Sequence, residues 1–452
     1  MTSADYESLR RSLSTSDGME SAAFLVCGIS STTEHQKHLV RDVLPVPEDG
    51  YIQRLSYHLE IAPRFINSVI DKCVAKGFGI IATHSHTGRG RASYSRSDDA
   101  GERELFRVFS DLLGPGKHAT LLFTDDDFTG RCLIEQEFVT LDGLTVVGED
   151  LAHLSLPRVR RSETSELTPF HNRQVLAFGE AGQAVLKQIR VGIIGLGGTG
   201  SAVAEQLVRL GIEHFVLVDP DRFEASNLSR LYGSRFEDTQ KRAPTKIKVI
   251  SRLLKEVNPD VQVSLIEDSV VRQSVLLRLR DCDVILGCTD NDWSRSVLNR
   301  LSYQYLIPLI DMGIRVTAKD NRVTGIGGRV ARVGPETPCL RCARHLDPER
   351  IRVESMPEPQ RHGLIQEQYV EGLESPAPSV ISFNSTVASL AVSEFLFLVL
   401  GLGSPGRANE VLYDGMRGET FRVRPDRDHR CDVCGERGLK GIGDLQVVSA
   451  FS

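Results

Sequence analysis

Residues 190–201, Arg-Val-Gly-Ile-Ile-Gly-Leu-Gly-Gly-Thr-Gly-Ser, constrain the fold more than any other stretch. An apolar run ends in glycines, and a helical pattern follows from Ala202 to Leu210. That order predicts a buried strand, a tight turn and a helix whose N-terminal N–H groups face a phosphate. About twenty residues on, a second apolar run ends at Asp219, placed to meet a ribose hydroxyl. In all, strands are expected over 190–195, 214–219, 261–266 and 283–287. Helical segments separate them, which implies βαβ units and a mostly parallel sheet. The pattern says nucleotide binding and leaves the nucleotide and the chemistry open.

A chain of 452 residues predicts two or three domains. Its net charge of -6 argues against general binding to nucleic acid or to a membrane surface. The start, Met1-Thr-Ser-Ala-Asp-Tyr, lacks the basic and apolar segments of a signal peptide. The run from Leu390 to Leu402 is interrupted by Ser393 and Glu394 and is too short to span a bilayer. A cytoplasmic protein is expected. Residues 1–155 mix strands (Ser21 to Ile29, Gly79 to Thr83) with helices such as Ala62 to Lys76. Residues 156–168 are charged and aperiodic, and read as a linker to a sheet domain over 169–424. Inside it, the polar residues 343–378 read as one long mobile loop, and 425–452 as a tail.

Beyond the second strand stand Asp219, Asp221, Asn227 and Arg230, with Lys246 in the next helix. Two cations facing a glycine turn suit a triphosphate. Asp290 follows the fourth strand, at the end where ligands sit in open α/β sheets, and a carboxylate there could hold Mg²⁺. From about Phe170 to Arg424 these residues resemble the E1-like adenylyltransferases of the ThiF, MoeB and HesA type. The resemblance implies ATP-Mg bound on Gly195, Gly197, Gly198 and Gly200. It implies attack on the α-phosphate by the C-terminal glycine carboxylate of a ubiquitin-like or sulfur-carrier protein. By position Asp219 and Asp221 resemble nucleotide ligands. Asn227, Arg230 and Lys246 resemble the phosphate-contacting set, and Asp290 the magnesium ligand. Arg173 resembles an arginine that reaches the ATP of a second subunit, which implies a homodimer.

Cys339, Cys342, Cys431 and Cys434 form two Cys-x-x-Cys pairs. Four thiolates make a closed tetrahedral set, so a structural Zn²⁺ is expected, tying the tail to the sheet domain. Many E1-like enzymes carry a nucleophilic cysteine in a Pro-Ser-Cys segment. This chain reads Pro378-Ser379-Val380, with no cysteine between Cys342 and Cys431. The product is then an adenylate, or a partner's cysteine attacks it, or a serine serves, with Ser379 nearest and Ser375 and Ser382 close by. The bland alternative for Ser379 is a helix cap.

In the N-terminal half, His84-Ser85-His86 ends an apolar strand and Ser95-Arg96-Ser97-Asp98 follows. Imidazoles at alternate positions point the same way from an extended segment, and a carboxylate would complete a three-ligand catalytic Zn²⁺ site. Residues 15–135 resemble the JAMM (JAB/MPN+) metalloproteases. That resemblance implies His84, His86 and Asp98 as zinc ligands, Glu20 as the base for water and Ser95 as an aid to the oxyanion. The gap from His86 to Ser95 is one residue longer than usual, which leaves Asp99 open as a substitute ligand. Both resemblances converge on one substrate group. They imply a bifunctional α/β enzyme that adenylates a ubiquitin-like protein's glycine and also trims or deconjugates that protein. The acceptor could be E2-like. The alternatives are a sulfur-carrier thiocarboxylate pathway, or a JAMM domain that only binds the modifier.

Overall fold

The computed structural model describes residues 1–448 apart from 15–16, 33–34, 156–168, 241–242 and 362–377. The predicted linker, Ser375 and much of the predicted mobile loop lie outside the described residues. The chain forms two compact units. The first is Met1–Glu163 with Gln304–Leu306 and Lys440–Val447, and the second is Thr164–Tyr303 with Ile307–Leu439 and Val448–Ser452.

The first unit is built on β1 (Ala22–Ser31), β2 (Gln36–Pro45), β5 (Gly79–Ser85), β6 (Ala119–Phe123), β7 (Phe128–Ile134) and β8 (Glu137–Thr140). They form one sheet in the order β2-β1-β5-β6-β7-β8. Two short pairs accompany it, β3 (Tyr51–Arg54) with β4 (Leu59–Ile61) and β9 (Gly143–Val147) with β10 (Leu151–Ser155). β1 reads as a continuous apolar run because both of its faces are covered. Phe24 and Val26 pack with Val69, Ile70 and Cys73 of α2 (Pro63–Val74) and with Phe109 and Leu113 of α3 (Arg96–Leu113). Leu25 and Cys27 face the other way, onto Leu9 and Leu13 of α1 (Ser3–Leu13) and Val146. β5 and β6 are parallel, so α3 is the crossover between them. Lys440–Val447 close this unit: Lys440 Nζ meets Asp5 at 2.9 Å and Ser31 N donates to Asp444 at 2.8 Å.

The second unit holds an eight-stranded sheet, β13-β12-β11-β14-β15-β16-β17-β18. Its strands are β11 (Arg190–Ile194), β12 (His214–Val218), β13 (Gln262–Ile266), β14 (Val284–Gly287), β15 (Leu309–Lys319), β16 (Arg322–Val333), β17 (Glu410–Asp414) and β18 (Glu419–Val423). The strands from β13 to β15 run parallel, with the four expected ones in place. The remaining three pairings are antiparallel. "Mostly parallel" is thus true of one half of the sheet. Asp320 and Asn321, both with positive φ, turn β15 into β16.

Helices α4 (Asn172–Gln188), α5 (Gly198–Arg209), α6 (Lys246–Val257), α7 (Gln273–Leu279), α8 (Asp292–Tyr305), α9 (Pro348–Glu354) and α10 (Ile381–Leu400) complete the unit. α9 lies inside the stretch expected to be all loop. α10 starts at Ile381, nine residues before the apolar run that begins at Leu390. Among the described residues it is the one helix long and apolar enough to cross a membrane. Its Val387, Ala391 and Phe395 are fully buried in this unit, which accounts for the apolarity as core packing.

Candidate functional sites

The glycine turn is fixed by backbone geometry. β11 ends at Ile194, and Gly195 turns the chain with φ +88°, a left-handed value that favours glycine. Gly195 N donates to Val218 O at 2.9 Å, and Leu196 N to Asp219 Oδ2 at 2.6 Å. Gly197 caps α5 without a side chain, so the first N–H groups of the helix are left for a ligand. Gly200 is close-packed: a Cβ there would lie 1.9 Å from Gly195 O. β14 neighbours β11, and a Cβ on Gly195 would lie 2.7 Å from Cys288 O. The loop that carries Asp290 therefore touches the turn.

Asp219 is buried, and its second oxygen accepts from Asp221 N at 2.8 Å. Burial pushes its carboxyl up, while the Lys246 charge and the backbone donors pull it back. Lys246, the first residue of α6, pairs with Asp221 at 2.7 Å. Asn227 is buried in a short turn, and its Oδ1 accepts from Glu224 N. The Arg230 stem lies over Gly198, and its head donates to Ser226 O at 2.8 Å. Asp290 is exposed beyond β14. Arg173 is exposed on α4, beside Phe170 and Leu176, which are 86% and 88% exposed.

Two neighbours of this site were not found from the sequence. Asn384, buried in the first turn of α10, has its Nδ2 2.2 Å from where a Gly198 Cβ would be. Arg295 donates to Thr289 O at 2.8 Å and contacts the buried Asp311, bracing the Asp290 loop. Asn384 also donates to Ser379 Oγ at 3.0 Å. Ser379 is therefore not the cap of α10; Val380 holds that position and its side chain makes no cap bond. Ser382 is inside the helix.

The four cysteines of the two pairs converge, with their sulfurs within 4.8 Å of one another. Cys339 Sγ lies 3.7 Å from Cys431 Sγ, and Cys342 Sγ 3.5 Å from Cys434 Sγ. Cys342 N points at Cys339 Sγ, as in a metal knuckle.

Residues 171–433 match the ThiF family. The chain belongs to that family. It is similar to the SAMP-activating enzyme E1 of Haloferax volcanii, 29% identical over 60% of this chain and 90% of that protein. It is 28% identical to the sulfur carrier protein adenylyltransferase of Thermus thermophilus, over 60% of this chain and 92% of that one. The molybdopterin-synthase adenylyltransferase of Escherichia coli is 27% identical, over 59% and 96%. The ThiF match spans the second unit's sheet.

In the first unit of the ThiF-family chain, three residues chosen from the sequence come together. His84 Nε2 and His86 Nε2 each lie 3.4 Å from an oxygen of Asp98. His84, His86 and Asp98 offer ligand atoms within 4.8 Å of one another. Glu20, buried just before β1, has Oε1 3.8 Å from His86 Nε2. Burial raises the Glu20 carboxyl, with His86 and His84 opposing. Contact with Asp98 raises His86. Burial alone would raise Asp98, but the two imidazoles hold it well below the usual carboxylate range. Asp98 is delivered by a capping box: Asp98 N donates to Ser95 Oγ at 3.2 Å and Ser95 N to Asp98 Oδ2 at 2.6 Å. Ser95 is thus seen as the cap of α3. Asp99, the alternative ligand, pairs instead with Arg131 at 2.7 Å. A cavity of about 220 Å³ opens beside His86, lined also by Arg10, Met19, Thr87 and Phe123.

Proposed function

We propose that this chain adenylates the C-terminal carboxylate of a small sulfur-carrier or ubiquitin-like protein. The reading rests on one convergence: the glycine turn, the Asp219 carboxylate, the Arg230 stem and the Asp290 loop share one end of the parallel strands. Asp219 accepts from the ribose hydroxyls. Arg230 and Lys246 offset charge on the phosphates. Asp290 would hold Mg²⁺, which when bound neutralises phosphate oxygens. The carrier's carboxylate oxygen attacks the α-phosphorus, the bond from that phosphorus to the α,β-bridging oxygen breaks, and acyl-adenylate and pyrophosphate result. The protein contributes placement and charge. Names of relatives such as "sulfur carrier protein adenylyltransferase" favour a sulfur carrier, with an E2-like acceptor as the lesser reading. Val380 in place of a cysteine supports a chain that stops at the adenylate and hands it to an external sulfur source. Arg173, Phe170 and Leu176 form the exposed face through which a second copy would bring its arginine. ATP–pyrophosphate exchange with a sulfur-carrier protein tests the reading. Asp290→Ala is expected to abolish exchange, and unchanged exchange would overturn the assignment.

A second reading applies to the first unit, and the His84, His86 and Asp98 cluster favours it. We read it as a zinc hydrolase of the JAMM kind acting on the same carrier's glycine tail. The residues fit the ion: two imidazoles and a carboxylate suit Zn²⁺, and His84 Nε2 is buried with no hydrogen bond. Zn²⁺ held there supplies a Lewis acid for a scissile carbonyl. Glu20 takes the proton from attacking water and Ser95 steadies the oxyanion. Cleavage of a carrier with a C-terminal extension, lost in Glu20→Ala, is expected; equal cleavage by that variant would leave a binding domain only. The four cysteines would hold a structural Zn²⁺.

A further inference from the structure

Asp98 reaches the two histidines from the first turn of α3, and the packing of that turn centres on Arg131 of β7. The Arg131 side chain is only 11% exposed, and its guanidinium grips the helix at two points. Nη1 meets Asp99 at 2.7 Å and Nε meets Glu102 at 2.7 Å. Asp99 and Glu102 are three residues apart, so they share one helix face. The same guanidinium lies 3.6 Å from the Tyr94 ring centre and 3.8 Å from that of Phe138 in β8. Tyr94 immediately precedes the Ser95 cap, and its hydroxyl is 3.1 Å from Thr120 Oγ1 of β6. One cation thus ties the sheet to residues on both sides of the cap.

We infer that Arg131 is a positioning residue for the metal site, setting the rotation of α3 so that Asp98 faces His84 and His86. This rests on the zinc reading above. Successive helical residues are turned by about 100°. With Asp99 held against the sheet by Arg131, its neighbour Asp98 is turned toward the imidazoles. The clamp also explains why the carboxylate in the site is Asp98 although Asp99 stands beside it. A lysine cannot replace the clamp, because it lacks both the fork and the flat face that stacks between two rings.

The test measures zinc affinity of the full chain by chelator competition, with total zinc per chain as a second readout. The double variant His84→Ala/His86→Ala should hold one zinc fewer than the wild type. Arg131→Lys and Arg131→Met should weaken the lost site about 10- to 100-fold, the usual effect of removing support behind a ligand. Asp99→Asn breaks only the exposed arm of the clamp, so its thermal unfolding should match the wild type while its zinc affinity falls by several-fold. Adding Asp99→Asn to Arg131→Met should then weaken zinc no further. If wild type and the double histidine variant hold equal zinc, the metal reading itself fails, and the clamp with it. If that control loses one zinc while Arg131→Lys and Asp99→Asn keep wild-type affinity, the clamp alone is overturned.

Discussion

Alanine at Gly197 and at Gly200 separates packing from nucleotide binding within one turn. A Cβ on Gly200 would lie 1.9 Å from Gly195 O and 3.3 Å from Cys288 Cβ. A carbon and a carbonyl oxygen settle at roughly 3.3 Å or more, so turn and helix must part by about 1.4 Å. The turn cannot yield freely, because Gly195 N and Leu196 N are bonded to Val218 O and Asp219 Oδ2. Overpacking of this kind costs about 1–3 kcal/mol, and the strained backbone bonds put Gly200→Ala at the upper end. Gly197 is the opposite case. A Cβ there meets nothing within 4 Å and φ is -76°, which alanine adopts. Its stability cost is the weaker cap, about 0.5 kcal/mol. The open space at Gly197 is where the reading puts phosphate, so a methyl group should raise the KM for ATP at least about tenfold, or ~1.4 kcal/mol.

Trp293 is the chain's one tryptophan and lies in the same unit, near the start of α8, so its fluorescence in urea reports on this unit. Pyrophosphate exchange against ATP concentration gives the second axis. The reasoning predicts a crossed pattern: Gly200→Ala loses stability, and Gly197→Ala keeps stability and loses ATP. A Gly197→Ala chain with the wild-type KM would show that phosphate does not approach the turn. A Gly200→Ala chain as stable as wild type would show that the close packing is not rigid.

Acid should weaken the first unit. Burial pushes His118 and His38 down to about 4, and His118 Nδ1 accepts from Ile80 N at 3.2 Å. Both rings fold uncharged, so between pH 6.5 and about 4 the unfolded chain binds protons that the folded chain refuses, and stability falls as pH falls. His118 contributes up to about 3 kcal/mol of that loss. The slope of stability against pH should flatten in His118→Gln, and an unchanged slope would count against the assignment. Cys431→Ser should release one zinc per chain by atomic absorption and lower the melting temperature; full zinc content would mean that the four sulfurs are not a metal set. Intact mass after ATP and carrier should show no adduct on Ser379, since its Oγ accepts from Asn384 and no base is bonded to it among the described residues; a base-labile adduct would reverse this. Arg295→Ala should lower the exchange rate by slackening the Asp290 loop, and a wild-type rate would show that the brace is idle.

What could be read from the sequence follows how local each constraint is. The glycine turn, Asp219 and the Cys-x-x-Cys pairs are legible because φ limits, strand ends and knuckle spacing act over a few residues. His84 and His86 are legible because alternate residues of an extended segment share a side. Ser95 and Asp98 are legible twice over, since the spacing that caps α3 also carries the carboxylate to the imidazoles. Asn384 had no signal: it meets Gly198 only because α10 packs on α5, and α10 is apolar on all sides with no periodicity to show which residue faces the turn. The antiparallel half of the sheet was missed for a related reason, because Thr317, Arg322, Thr324 and Gly325 are polar or glycine and burial there is slight. Asp320-Asn321 is a readable hairpin turn, but its strands lack the apolar run that would draw attention to it. Arg131 is the sharpest instance. Its partners at 94, 99, 102 and 138 surround it only after β6, β7, β8 and α3 have assembled. The ligands of a site can be read from short spacing, whereas the residues that aim those ligands are set by the packing between elements.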